Sequence, residues 1–136
     1  MDKIELTSLK KIETGKGNVL HAIKRSDAGF VGFGEAYFSE VRKGVVKGWK
    51  KHRAMTLNLV VPIGEVQFVI FNELNGAFYT HNLSKSNYKR LTVSPGLWMA
   101  FKGIQSNNML LNIASIEHDP DECDILEIDK IDYDWK

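Results

Sequence analysis

Apolar residues return at every second position in this chain, in runs that are too short and too strictly alternating for helices. Met55, Leu57, Leu59 and Val61 alternate with Thr56, Asn58 and Val60, the period of a strand with one face buried. Pro62-Ile63-Gly64-Glu65 supplies turn chemistry, and residues 66–71 follow as a second strand. Asn75-Gly76 closes the next turn and is a strong hairpin signal. Residues 88–93, ended by Ser94-Pro95-Gly96, read as a strand, as do 97–101 and 109–116 on either side of a polar loop at 102–108. Upstream, residues 30–41 and 45–52 also read as extended. No segment carries a helical stripe, although residues 6–12 have room for a turn or two of helix. About eight short strands with turns every 8–12 residues predict an all-β sandwich, jelly roll or barrel.

Length and composition narrow the function classes. At 136 residues the chain reads as a single domain, 1–136, able to bury a real core. Hydrophobic residues at 43% and charged residues at 26% are those of a globular protein rather than a disordered one. No apolar run approaches the roughly 18 residues of a membrane span, and the N-terminal MDKIELTSLKK has no signal-peptide core, so the expectation is a cytoplasmic protein with no membrane partner. Cys123 stands alone, which leaves neither a disulfide framework nor a cysteine-rich zinc site. A net charge of +1 argues against a dedicated nucleic-acid binder.

That small net charge conceals a strong polarity along the chain. Residues 1–60 hold twelve Lys or Arg and six Asp or Glu, whereas 115–136 hold nine acids and two lysines. The densest basic stretch, Arg42 to Arg53, has six cations in twelve positions and no acid. Such a run is a solvated face, a site for an anion such as a phosphate ester, or a partner for the acidic tail within one chain or across a dimer. If 47–52 is a strand, Lys47, Trp49 and Lys51 face one way and Gly48, Lys50 and His52 the other. Lys50 and His52 then project together, and inside a cup such an ionisable pair is costly unless it binds something.

Three stretches in this order and spacing resemble the nucleotide-sugar cupins, namely the dTDP-4-dehydrorhamnose 3,5-epimerases and the shorter, WxcM-like dTDP-4-keto-6-deoxyhexose 3,4-ketoisomerases. Gly32-Phe33-Gly34-Glu35-Ala36-Tyr37-Phe38 is similar to the epimerase segment in which a phenylalanine and a glutamate meet the nucleotide. Residues 44–52 resemble the Arg-Gly-x-His core that continues as His-Ala-His in the ketoisomerases. Residues 91–101 resemble the Pro-Pro-Gly-x-x-His-Gly-Phe strand, and residues 117–122, Glu-His-Asp-Pro-Asp-Glu, the Tyr-x-Pro-x-x-Glu that follows it. Together the likeness covers about residues 27–125. It implies a cupin-type jelly roll, mostly antiparallel, that binds a nucleotide-diphosphate sugar, works without a cofactor and assembles as a homodimer. The departures are specific. The family's histidine falls at Lys50 and its arginine at Lys47, while the second ketoisomerase histidine is kept as His52. The epimerases' lysine falls at Leu57, their tyrosine acid at His118, and the histidine of Pro-Gly-x-x-His at Met99.

Epimerising or isomerising a 4-keto sugar requires a base to take a proton alpha to the ketone and a donor to hold the enolate oxygen. The resemblance assigns proton handling to His52 and Lys50, with His118 as auxiliary acid. Histidine ordinarily titrates near 6.5, which suits a base at neutral pH. Lys50 serves either as the enolate's cation or, if its pKa is depressed, as the base itself. Phe33, Glu35, Lys47, Trp49 and Trp98 are the expected substrate contacts, although a tryptophan in a small β-sandwich is more often core. No metal site is read, because His52 lacks the second histidine and nearby carboxylate of a metal-binding cupin. Two alternatives stay open: a member of the fold that binds sugar nucleotides without turning them over, and a structural interaction module in which basic strand and acidic tail pair between chains.

Overall fold

The alternation around Met55 to Val61 lies at the centre of a two-layer β structure. The computed structural model describes residues 3–136. In chain order its strands are β1 Ile4–Ser8, β2 Lys11–Ile12, β3 Val19–Leu20, β4 Glu35–Glu40, β5 Val46–His52 and β6 Leu57–Ile63. Then follow β7 Glu65–Asn72, β8 Ala77–Ser84, β9 Lys89–Val93, β10 Trp98–Gly103, β11 Met109–Ala114 and β12 Cys123–Ile125. One five-stranded sheet has the order β1-β9-β6-β11-β4 and a second the order β12-β5-β10-β7-β8, while β2 and β3 pair by themselves. Every strand pairing is antiparallel. This is the all-β jelly roll that the alternation and the resemblance predict. No helix of the described residues is long and apolar enough to cross a membrane.

The sheets meet over a shared core. Leu57, Leu59 and Val61 of β6, Leu91 and Val93 of β9, and Leu110 and Ala114 of β11 are buried with Val66, Phe68 and Ile70 of β7 and Leu83 of β8. A second cluster lies on the outer face of the other sheet, where Trp49, Val69, Trp98 and Ala100 are covered by Leu126, Ile128, Ile131, Tyr133 and Trp135 of the C-terminal segment. Strand β7 is thus buried on both faces, which is why residues 66–71 read as an almost unbroken apolar run.

Three local expectations change. Residues 6–12 are not helical: Ile4–Ser8 form a full ladder with β9, from Ile4 opposite Val93 to Ser8 opposite Lys89. A neighbouring strand satisfies the backbone at once, whereas a helix of one or two turns must nucleate unaided. The predicted turn at 62–65 shrinks to Gly64, because β6 continues through Pro62 and Ile63. Proline is tolerated there because the β6–β11 register shifts between Ile63 and Val60, leaving a bulge where its missing N–H costs no rung. Strand β8 is implied only by the Asn75-Gly76 hairpin signal and not by its own pattern, since Leu83 is its sole buried side chain and it has little alternation to display.

On the outer face of the first sheet, a buried polar network secures the segment that leads into β4. Asn58 Oδ1 accepts from Thr92 Oγ1 at 2.6 Å and Arg90 Nε at 3.0 Å, while its Nδ2 donates to the Gly29 carbonyl. Arg90, itself 0% exposed, also donates to the Ala22 carbonyl and to Asp27. A buried cation needs this complete a set of partners, and the set holds the 22–29 segment against the sheet immediately before the strand that carries Glu35.

Candidate active site

Between the sheets, at the β4–β5 end, lies a cavity of about 420 Å³, within the range of small-molecule sites. The first sheet contributes Glu35, Tyr37 and Ser39 from β4, Leu57 and Leu59 from β6, and Leu110 and Asn112 from β11. The facing sheet contributes Lys47, Gly48, Lys50 and His52 from β5, Met99 and Phe101 from β10, and Cys123 and Ile125 from β12. Met55, Leu57, Leu59 and Leu110 form a buried apolar floor, whereas Lys47, Lys50 and His118 are exposed at its edge.

A bulge in β5 sets which side chains point inward. Lys50 stands opposite Met99 and Lys47 opposite Phe101, so three steps on β5 match two on β10. The extra residue resets the alternation, and Lys47 joins Lys50 and His52 on the cavity side instead of following Trp49 and Lys51. Gly48 makes this close passage possible: its φ is +143°, and a Cβ there would lie 2.5 Å from the Ala100 Cβ.

Two expected substrate contacts, Trp49 and Trp98, lie on the far side of that sheet, where simple alternation from Lys50 and from Met99 places them. Trp49 is fully buried on the outer face, its indole N–H donating to the Ile128 carbonyl at 3.2 Å and its ring 5.8 Å from that of Trp135. Trp98 is also buried there, with the Lys51 ammonium 5.1 Å from its ring centroid. Phe33 is 63% exposed and lies outside the cavity lining. Of the five expected substrate contacts, Glu35 and Lys47 line the cavity. All three expected catalytic residues, His52, Lys50 and His118, line it too, as do Leu57 and Met99 in the places of the family's lysine and histidine.

His52 is oriented by a carboxylate that sequence reasoning gave no role. Its Nδ1–H donates to Glu122 Oε1, while Glu122 Oε2 accepts the backbone N–H groups of Ala54 at 3.0 Å and Met55 at 3.2 Å. Burial alone raises the Glu122 carboxyl pKa. The hydrogen bonds from His52, Ala54 and Met55, with the attraction of His52, outweigh burial and hold the pKa below its ordinary value. In the neutral imidazole, with Nδ1–H committed to the carboxylate, the Nε2 lone pair is left to accept a proton, the arrangement of a general base. Glu122 ends the short 3-10 turn Pro120–Glu122, which Asp119 caps by accepting the Asp121 N–H. Strand β12 then pairs with β5, placing Cys123 opposite His52 and Ile125 opposite Lys50. Burial pushes the Cys123 thiol up from its ordinary pKa, so the protonated, weakly nucleophilic form dominates at neutral pH.

Other contacts shape the rim. Glu35 Oε1 accepts the His118 backbone N–H at 3.1 Å, tying β4 to the segment that carries Glu122. Lys47 Nζ donates to the Glu40 carbonyl at 2.5 Å. The Lys50 side chain forms no ion pair or hydrogen bond among the described residues, and its ammonium is therefore available to a ligand. The acidic tail meets the basic strand within one chain, through Arg53 with Asp124 and His52 with Glu122. The remaining ion pair on that strand, Lys51 with Glu73 at 2.5 Å, uses a carboxylate outside the tail.

Comparison with known proteins matches this architecture. The family described as FdtA: WxcM-like, C-terminal matches residues 2–128. A dTDP sugar isomerase from Desulfovibrio desulfuricans G20 is 29% identical, with 97% of this chain and 90% of that one covered and a TM-score of 0.91. QdtA, a sugar 3,4-ketoisomerase from Thermoanaerobacterium thermosaccharolyticum solved in complex with TDP, is 19% identical over 88% of this chain and 85% of its own, with a TM-score of 0.78. The RmlC epimerase of Mycobacterium tuberculosis is 17% identical, covers 90% of this chain and 68% of its own, and has a TM-score of 0.79. The last two share the fold. A search of curated proteins found no match.

Proposed function

The chain belongs to the WxcM-like, C-terminal family, and from that premise we propose that it binds a nucleotide-linked 4-keto-6-deoxy sugar and epimerises or isomerises it through an enolate. The observation that carries this reading is the His52–Glu122 pair at the edge of a leucine-floored cavity. His52 takes the proton from the carbon beside the ketone, and Glu122 stabilises the imidazolium that forms. Lys50 donates to the oxygen on which negative charge develops. Returning the proton to the same carbon from the other face epimerises the sugar; moving it to the old carbonyl carbon, while the neighbouring hydroxyl's proton passes to the old carbonyl oxygen, shifts the ketone. Met55, Leu57, Leu59 and Leu110 fit the methyl group that a 6-deoxy sugar carries in place of a hydroxymethyl. Lys47 and Glu35 meet the diphosphate and nucleoside, and His118 is an auxiliary acid. Surface polysaccharide assembly in the cytoplasm is the biological setting that this chemistry suits.

The test is incubation with dTDP-4-keto-6-deoxyglucose, with the product read by proton NMR. A 3-keto sugar marks a ketoisomerase and inversion at C3 or C5 marks an epimerase. Lys50→Met is expected to slow turnover by about tenfold to a thousandfold while leaving dTDP affinity nearly unchanged; undiminished turnover removes Lys50 from the reaction. A second reading, a binder without turnover, is favoured by Lys50 standing where the family has histidine, and it predicts bound nucleotide and no product.

A homodimer completes the proposal. Strand β4 is an open edge of its sheet, and Phe38 on it and Val31 and Phe33 beside it are each more than 60% exposed, a pattern that soluble proteins cover by pairing. Sedimentation equilibrium at micromolar protein and low salt should give twice the chain mass; a monomer contradicts it.

A further inference from the structure

Asn112 is a polar residue set in a wall of leucines. It lies on β11 between Tyr37 of β4 and Leu59 of β6 in register, and with Leu57, Leu59 and Leu110 it lines the cavity. Of the polar side chains lining that cavity, Asn112 alone is fully buried, at 2% exposure. Its Nδ2 donates to the Tyr37 hydroxyl at 3.0 Å, while its Oδ1 is buried with no hydrogen-bond partner. Turning the amide over does not resolve this, because Tyr37 then donates to Oδ1 and the amide NH2 is left unpaired instead. A buried polar atom without a partner destabilises the fold, and a leucine like its neighbours avoids that cost. A residue kept at such a cost inside a ligand cavity is explained by the ligand that completes it.

We infer that Asn112 is a sugar-recognition residue whose unpaired Oδ1 accepts a hydrogen bond from a ring hydroxyl of the bound deoxysugar, with Tyr37 as the positioning residue that fixes the amide. The inference rests on the nucleotide-sugar reading above. Carbonyl oxygen is an acceptor, so its complement is a hydroxyl and not a phosphate oxygen. The lysines suited to phosphate, Lys47 and Lys50, stand on the opposite sheet. A site built to hydrogen-bond a hydroxyl rejects the analogue that lacks it, because the buried acceptor then stays unpaired in the complex. Asn112 therefore selects sugars by a hydroxyl on the ring, at C2 or C3, while the leucines beside it select for the 6-methyl group.

Calorimetric titration separates this from its alternatives. The ligands are dTDP-6-deoxyglucose, which has no ketone to enolise, and dTDP alone. Asn112→Leu is expected to weaken the sugar nucleotide by about tenfold to a hundredfold, to leave dTDP affinity within about twofold, and to melt no lower than the parent protein because an unsatisfied buried group has gone. The wild-type protein should lose a similar factor against the analogue deoxygenated at C2 or at C3, and Asn112→Leu should lose nothing further against that same analogue. Tyr37→Phe, at a half-exposed position where folding is not at risk, should give a smaller loss confined to the sugar nucleotide. Equal weakening of both ligands, or of neither, overturns the inference alone. Failure of the wild-type protein to bind either ligand overturns the nucleotide-sugar reading and the inference with it.

Discussion

His52→Asn is expected to bind dTDP as tightly as the parent protein and to turn over at least about a hundredfold more slowly, which is the lower range of what a positioned general base contributes. The substitution keeps a side chain of similar shape able to reach Glu122, so the fold and the Ala54–Met55 backbone contacts survive. It removes the Nε2 lone pair, the one atom assigned to carry the proton. Steady-state rates measured alongside dTDP titration separate the two effects. Parallel losses in both would reassign His52 from proton transfer to structure, and an unaltered rate would pass the role of base to Lys50.

Glu122→Gln should damage both catalysis and stability. The amide accepts from His52 Nδ1 less strongly than a carboxylate and stabilises the imidazolium less well, and a drop in turnover of about tenfold to a thousandfold follows. Its effect on stability depends on pH, with a sign set by the depressed carboxyl. Because the folded-state pKa lies below the ordinary value of 4.5, ionised Glu122 contributes its full stability above that value. The contribution is lost as the pH falls through the folded-state pKa. Melting temperatures of the two proteins should therefore differ most at neutral pH and converge as the pH is lowered below about 4.5. A difference independent of pH contradicts the ionised, hydrogen-bonded carboxylate described here.

These residues also mark how far the sequence could be read. Lys50 and His52 were legible as neighbours on one face because simple alternation holds between them, with Lys50 opposite Met99. Simple alternation puts Lys47 and Trp49 on one face, whereas the bulge at Gly48 adds one residue to β5 and separates them. The available sign of that was the glycine itself, since an isolated glycine in a strand often marks a bulge. Trp49 and Trp98 belong to a core whose lid arrives from residues 126–135, a long-range packing that alternation cannot reveal. Glu122 was visible only as the end of a Pro-x-Glu motif. Its contact with His52 spans 70 positions of sequence and depends on β12 pairing with β5. The charge asymmetry was plain from composition, but the choice between an intramolecular and an intermolecular partner required Arg53 and Asp124 to be placed. Asn112 had a sign of its own, a lone amide interrupting an apolar strand, though its unpaired oxygen is a property of packing alone.

Solvent exchange tests the central claim most directly. In D2O, with dTDP-4-keto-6-deoxyglucose as substrate, the protein should introduce deuterium beside the ketone at C3 or C5, and His52→Asn should abolish that incorporation while still binding dTDP. Absence of deuterium at both carbons with the wild-type protein, under conditions where the sugar nucleotide is demonstrably bound, would contradict enolisation and leave a protein that holds its ligand without transforming it.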